Sequence, residues 1–187
     1  LKDNLILQAL QSIASFLEGE NISYMVIGGI ANSIYGNPRQ TFDIDIKIYL
    51  GPDNTPESFI QKLIPIAKII PHNPIQFISD TQVLPIELHG VRIDLILAGL
   101  PFEIEAINRS YYVNYLNVPI RICTIEDLII QKAVSLRQKD WLDIATLIQT
   151  QKNNIDWKYL LQHCQELSDF LDRKDIFRKI KQFKDEA

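Results

Sequence analysis

From Thr41 to Leu50 the chain reads Thr-Phe-Asp-Ile-Asp-Ile-Lys-Ile-Tyr-Leu, a strict alternation of polar and apolar positions. Successive side chains of a strand point to opposite faces. Phe42, Ile44, Ile46 and Ile48 therefore share one face, and Asp43, Asp45 and Lys47 share the other. Upstream, Leu5, Leu7, Leu10, Ile13, Ala14 and Leu17 follow helical spacing, with Gly19 as the stop. Ser23 to Ile27 is a short apolar run that predicts a buried strand, and Ile30 to Tyr35 a helix opening at Gly28-Gly29 and closed by Gly36. Glu57 to Ile69 has helical spacing, with Pro65 kinking it or ending it early. Val83–Leu88 and Val91–Ala98, joined at His89-Gly90, predict a hairpin whose second strand places Arg92, Asp94 and Ile96 on one face. A helix from Pro101 to Asn108 and strands near Tyr111–Tyr115 and Val118–Ile122 follow.

From Thr124 the period changes. Thr124-x-x-Asp127 resembles a capping box with Asp in place of Glu, and helical spacing then runs almost to the end, with breaks near Lys139 and Asn153-Asn154. The pattern predicts an α/β half over residues 1–122 and a helical part over 123–187.

Composition adds bounds. The chain has 187 residues, 47% hydrophobic and 22% charged, ordinary for a soluble globular protein and large enough for a real core. No apolar run approaches membrane-helix length, and the N-terminus, which begins at Leu1, lacks a signal-peptide pattern. Cys123 and Cys164 have no CxxC spacing, which favours a reducing cytoplasm with both as small buried hydrophobes. Net charge is −4; residues 1–120 carry 7 Lys/Arg against 12 Asp/Glu, and residues 121–187 carry 12 against 11. This excludes a generic polyanion binder and leaves room for a local basic surface on the C-terminal part.

Chemistry concentrates on the alternating strand. Asp43 and Asp45 stand about 6.5–7 Å apart along one face, a spacing that can hold divalent cations. Gly28-Gly29 supplies backbone N–H groups suited to phosphate. Alternation alone also produces a solvated strand face with these residues. Asp94 tips the balance: a charge mid-strand among apolar neighbours is costly without a partner. If its strand lies beside the first, Asp43, Asp45 and Asp94 converge on one face, the grouping that two-metal phosphoryl or nucleotidyl transfer needs.

The run Gly28-Gly29-x-Ala31-x(4)-Gly36-x-x-Arg39-x-Thr41-x-Asp43-Ile44-Asp45 resembles the active-site signature of the DNA-polymerase-β-like nucleotidyltransferase superfamily. Glu126 to Lys132, followed by Arg137-Gln-Lys139-Asp140-Trp-Leu-Asp143, resembles the second signature of its AbiEii-type branch, known for toxins of toxin–antitoxin systems. The resemblance spans roughly residues 25 to 145. It implies a mixed nucleotidyltransferase sheet flanked by helices. It also implies a Mg²⁺-dependent enzyme (Mn²⁺ being the alternative ion) that passes an NMP from an NTP to an acceptor hydroxyl and releases pyrophosphate. By the same resemblance Gly28 and Gly29 approach the triphosphate, Asp43 and Asp45 bind metal, Asp94 joins them and helps activate the acceptor, and Lys132 lies near the phosphates. The branch implies RNA such as tRNA as acceptor and an antitoxin as partner; a small molecule or a protein hydroxyl would use the same metals. A non-catalytic nucleotide-binding or partner-binding module is the competing reading.

The chain departs from the wider superfamily at position 29, where Gly stands for a frequent Ser whose hydroxyl touches phosphate. Ser33, one helical turn on, is the expected substitute. Tyr35 stands where relatives often carry His. Arg39 is expected either on phosphate or in a loop ion pair, and Asp143 as a structural fastener pairing with Arg137 or Lys139. His72, His89 and His163 have no ligand spacing, and Trp141 and Trp157 are expected in the core.

Overall fold

The computed structural model describes residues 2–38 and 41–186. It contains two compact units, one of Leu1–Ile30 with Gln40–Cys123, the other of Ala31–Arg39 with Thr124–Ala187. Among the described residues no helix is long and apolar enough to cross a membrane.

The first unit is built on a seven-stranded mixed sheet in the order β3-β4-β5-β2-β1-β7-β6. The strands are β1 (Ser23–Val26), β2 (Asp43–Tyr49), β3 (Lys68–Ile69), β4 (Val83–Leu88), β5 (Val91–Leu97), β6 (Tyr111–Tyr115) and β7 (Val118–Ile122). β2 pairs with β5, and β1 with β7, in parallel; every other pairing is antiparallel. Alternation sorts the faces within the strands as expected, with Ile44, Ile46 and Ile48 of β2 and Ile93 and Leu95 of β5 each 0% exposed; Phe42, expected on the same face, precedes β2 and is exposed. Helix α1 (Lys2–Gly19) contributes Leu10, Ile13 and Leu17 to the same core and contacts β1, β2, β5 and β7. Helix α2 (Gly28–Ile34) opens at the glycine pair itself.

Two short elements depart from the predicted pattern. Of the two outcomes expected at Pro65 the early end occurs, so the helix is α3 (Pro56–Leu63) and does not reach Ile69; the chain then adds the unpredicted β3 to the sheet edge beside β4. An unpredicted helix follows, α4 (Pro74–Thr81), started by Pro74 and by Asn73, whose side chain accepts from the Gln76 N–H at 3.3 Å. Helix α5 (Pro101–Arg109) packs on β1 and β2.

In the second unit Thr124 caps α6 (Ile125–Ala133), accepting from the Asp127 N–H at 3.2 Å and donating to the Asp127 carboxylate at 2.8 Å. Asp127 thus answers the threonine hydroxyl, where a Glu would reach the cap backbone. The first break falls earlier than Lys139, which lies inside α7 (Gln138–Gln151). Helices α8 (Trp157–Phe170) and α9 (Lys174–Glu186) are divided by a turn with Asp172 at φ +50°, a break that periodicity does not reveal.

Candidate active site

The acidic face is assembled by strand register. Asp45 of β2 stands directly opposite Asp94 of β5, and Asp43 opposite Arg92. Directly opposed residues of neighbouring strands project to the same side, so four charged side chains share one patch of the first unit. Asp43, Asp45 and Asp94 are half-buried and Arg92 is exposed. At the other end of this face Lys47 is buried and ion-paired with Glu103 of α5. Burial pushes the Glu103 carboxyl up, but the Lys47 ammonium and the Gly99 and Leu100 N–H groups outweigh it and hold the group below the usual range. Lys47 therefore anchors α5, and the aspartate end of the face is what remains for chemistry.

The glycine pair is explained by close approach. Gly28 has φ +63°, and a Cβ there would overlap the Asp45 carboxylate, lying 2.7 Å from its Cγ. A Cβ at Gly29 would lie 2.6 Å from Thr41 Oγ1 and 2.8 Å from Thr41 Cβ. Both backbones press onto the strand that carries the aspartates, and the Ile27 N–H donates to the Asp45 carbonyl at 3.0 Å. A serine at position 29 has no room, because Thr41 already fills that space. Thr41 in turn has its hydroxyl 3.0 Å from the Asp43 carbonyl and 3.1 Å from Asp43 Oδ1.

Arg92 is the residue that sequence reasoning passed over. Its Nε donates to Asp94 Oδ1 at 2.9 Å and its Nη2 to Asp94 Oδ2 at 3.3 Å, a two-pronged contact. The Asp94 bond and charge, joined by the charges of Asp43 and Asp45, hold the guanidinium above its ordinary pKa against a small opposing effect of burial. The signal was present: alternation put Arg92 on the face of Asp94, two residues away. Asp43, Asp45 and Asp94 are hard-oxygen donors of the kind Mg²⁺ or Mn²⁺ takes, and the Asp45 carboxylate fills the place that a side chain at Gly28 would need. As they stand, no three His, Cys, Asp or Glu side chains among the described residues are gathered around a common point. Asp94 has both oxygens on Arg92 instead.

The remaining expected residues belong to the second unit. Lys132 is 6% exposed and lies 2.7 Å from Asp143 and 3.5 Å from Asp140. Asp140 also accepts from Arg137 at 2.7 Å, and Asp143 from Asn37 at 3.2 Å. Asp143 is a fastener, as expected, with Lys132 among its partners where Arg137 or Lys139 was anticipated. Ser33 is half-buried on α2, and its carbonyl accepts from the Gly36 N–H at 3.3 Å. The Tyr35 carbonyl accepts from Gln151 at 3.0 Å. Arg39 lies outside the described residues.

The histidines bond to Ser12 (His89, 2.9 Å) and Glu166 (His163, 3.2 Å). Trp141 lies under Lys179, 4.4 Å from its ring centre, and Trp157 under Lys184, at 5.8 Å. Cys123 and Cys164 are buried, and burial pushes the Cys164 thiol up to about 12.

Residues 6–186 match the family described as "Nucleotidyl transferase of unknown function" (DUF2204). The fold is similar to an antigenic nucleotidyltransferase-like protein from Paracoccidioides brasiliensis, with TM-score 0.59, 15% identity and coverage of 97% of this chain and 94% of that one. It is also similar to the lincosamide antibiotic adenylyltransferase LnuA, solved with lincomycin bound (TM-score 0.52, 17% identity, 76% of this chain and 96% of that one). A third similar structure is the antibiotic-resistance factor ANT(2'')-Ia (TM-score 0.56, 13% identity, 80% and 85%). No curated protein matches the sequence.

Proposed function

The chain belongs to the nucleotidyl transferase family DUF2204 and is an enzyme of that class, and we propose that it passes an NMP unit from an NTP to an acceptor hydroxyl, releasing pyrophosphate. The observation that carries this reading is the register: Asp45 faces Asp94 on a parallel neighbouring strand, with Asp43 two residues away and the glycine turn against Asp45. Asp43, Asp45 and Asp94 would hold Mg²⁺, or Mn²⁺ in its place. When bound, the ions neutralise the triphosphate and acidify the attacking hydroxyl. Thr41 fixes the Asp43 carboxylate, and the absence of side chains at Gly28 and Gly29 lets the turn that approaches the triphosphate lie against Asp45 and Thr41. The acceptor oxygen bonds to the α-phosphorus as the bond to the β-phosphate oxygen breaks; Asp94 takes the hydroxyl proton and pyrophosphate leaves. The sequence resemblance also assigns nucleotide contacts to Ser33, Arg39 and Lys132.

The AbiEii-like residues Lys132, Arg137, Lys139, Asp140 and Asp143 support a toxin that acts on the tRNA 3′ end and is held by an antitoxin. The likeness to LnuA and ANT(2'')-Ia supports a second reading, in which the acceptor is a hydroxylated small molecule such as an antibiotic.

Incubation with each labelled NTP, Mg²⁺ or Mn²⁺, and separate pools of tRNA, cell protein and hydroxylated antibiotics tests the proposal. Label should move onto one pool, and Asp43→Ala or Asp45→Ala should reduce transfer by about 10³-fold or more, since several kcal/mol of charge stabilisation are lost. Folded protein that binds NTP calorimetrically yet labels no pool is a binding module, and the proposal fails.

A further inference from the structure

Arg92 poses a problem for the site just described. A guanidinium with two N–H groups on Asp94 occupies the oxygens that a cation needs. The pair is asymmetric in exposure: the Asp94 side chain is 19% exposed and that of Arg92 54%. The carboxylate is held in the face, and the cation reaches it from the solvent side. Register supplies a second partner for the same arginine. On β4, Glu87 stands directly opposite Arg92, away from β2, and is exposed. Cβ atoms of such a pair lie about 4.5–5.5 Å apart, within easy reach of an arginine. Arg92 thus stands between a carboxylate inside the site and one outside it.

We propose that Arg92 is a built-in counter-ion that neutralises Asp94 in the cation-free enzyme and exchanges with the divalent cation, moving to Glu87 as the ion is taken up. The inference rests on the reading of Asp43, Asp45 and Asp94 as metal ligands. It adds that cation binding is a competition inside the protein. Three carboxylates on one face repel each other without a cation, and Arg92 relieves that repulsion until the ion arrives. Uptake of the cation then displaces an internal charge, so Arg92 weakens metal affinity while offsetting the repulsion among the carboxylates. A residue that merely positioned Asp94 would have the opposite effect, because its loss would weaken binding.

The sign of the change in Mn²⁺ affinity decides the matter, without NTP, acceptor or turnover. Calorimetry, and loss of the free-ion electron paramagnetic resonance signal, measure Mn²⁺ binding to the full chain and to Arg92→Gln, Arg92→Lys, Glu87→Gln and Asp45→Asn. Arg92→Gln should bind roughly two- to fivefold more tightly, the range expected for losing a partly exposed ion pair. Arg92→Lys should fall between it and the wild type, since lysine keeps the charge and lacks the fork. Glu87→Gln should bind more weakly than wild type, having lost the outer resting place. Arg92 is exposed, and circular dichroism with thermal unfolding confirms that its variants fold. Equal or weaker Mn²⁺ binding by folded Arg92→Gln, with Asp45→Asn impaired, overturns the counter-ion and leaves the metal site standing. Mn²⁺ binding that is absent from wild type and Arg92→Gln alike, or unaffected by Asp45→Asn, removes the metal reading and the inference together.

Discussion

Two groups of aspartates with basic partners occur in this chain, one on the strand face of the first unit and one within the helices of the second. On the strand face Asp43, Asp45 and Asp94 are half-buried and the nearby cation, Arg92, is exposed. In the helical unit Asp140 is 1% exposed and Lys132 6%, with Asp143 also buried. A carboxylate cut off from water needs its counter-ion permanently, because neither charge can be left alone at tolerable cost. A carboxylate at the rim can change partners, since water covers the interval. Similar residue types therefore serve different ends: the buried group fastens α6 to α7, and the rim group is available for ligand exchange.

The comparison breaks most readily at its two basic residues. Lys132→Met removes the buried ammonium shared by two buried carboxylates and should lower unfolding free energy by about 3–5 kcal/mol, whereas Arg92→Gln should cost less than about 1 kcal/mol, both read from urea denaturation. Equal losses would erase the distinction between fastener and exchangeable pair. Any contribution of Lys132 to nucleotide binding would show separately, as a raised KM for NTP at temperatures where the variant is folded.

Gly28→Ala sharpens the account of the strand face. The substitution forces a Cβ into the left-handed region and onto the Asp45 carboxylate. The expected stability loss is about 1–2 kcal/mol from the backbone alone. Displacement of Asp45 should reduce transfer by about 10²-fold, as misplacement by an ångström does elsewhere. Loss of stability with full activity would show that the Asp45 position is not critical.

The smallest effect concerns acid. Burial raises the Asp140 carboxyl pKa, but bonds from Ser135 and Arg137 and the charges of Lys132 and Arg137 outweigh it, so the folded value lies below the ordinary one. Between the folded and unfolded values the unfolded chain binds more protons. The stability from ionised Asp140 is therefore fully present above its unfolded pKa, about 3.9, and is lost as pH falls through the folded value. The stability difference between wild type and Asp140→Asn should shrink as denaturation is repeated from pH 6 down to pH 3, where survival of the fold permits. A difference that grows on acidification would contradict the ion pair.

Much of this fold was legible from local pattern, and the failures have a common cause. The hairpin at His89-Gly90, the helix start at Pro101 and the Thr124 cap depend on residues close together in sequence, and they appear where expected. Beyond Pro65 neither β3 nor α4 was legible, because the isoleucines there do not report burial: Ile64, Ile66 and Ile70 are 53%, 41% and 41% exposed. Periodicity infers structure from the assumption that apolar residues face inward, and here they do not. The same limit applies at Arg92. Alternation placed it on the right face, but its contact with Asp94 depends on rotamers and on the field of carboxylates from β2.

The sequence by itself determined which residues share a face, because alternation along a strand follows from the covalent geometry of one chain segment. It thereby placed Asp43 with Asp45, and Arg92 with Asp94. Only the tertiary structure decided that β2 and β5 are parallel neighbours with Asp45 opposite Asp94, and that Thr41 takes the space a side chain at Gly29 would need. It alone enclosed Lys132 between Asp140 and Asp143. Strand order, register and ion-pair choice are contacts between distant segments. They are set by what each segment must bury and by which charges it finds once it has done so.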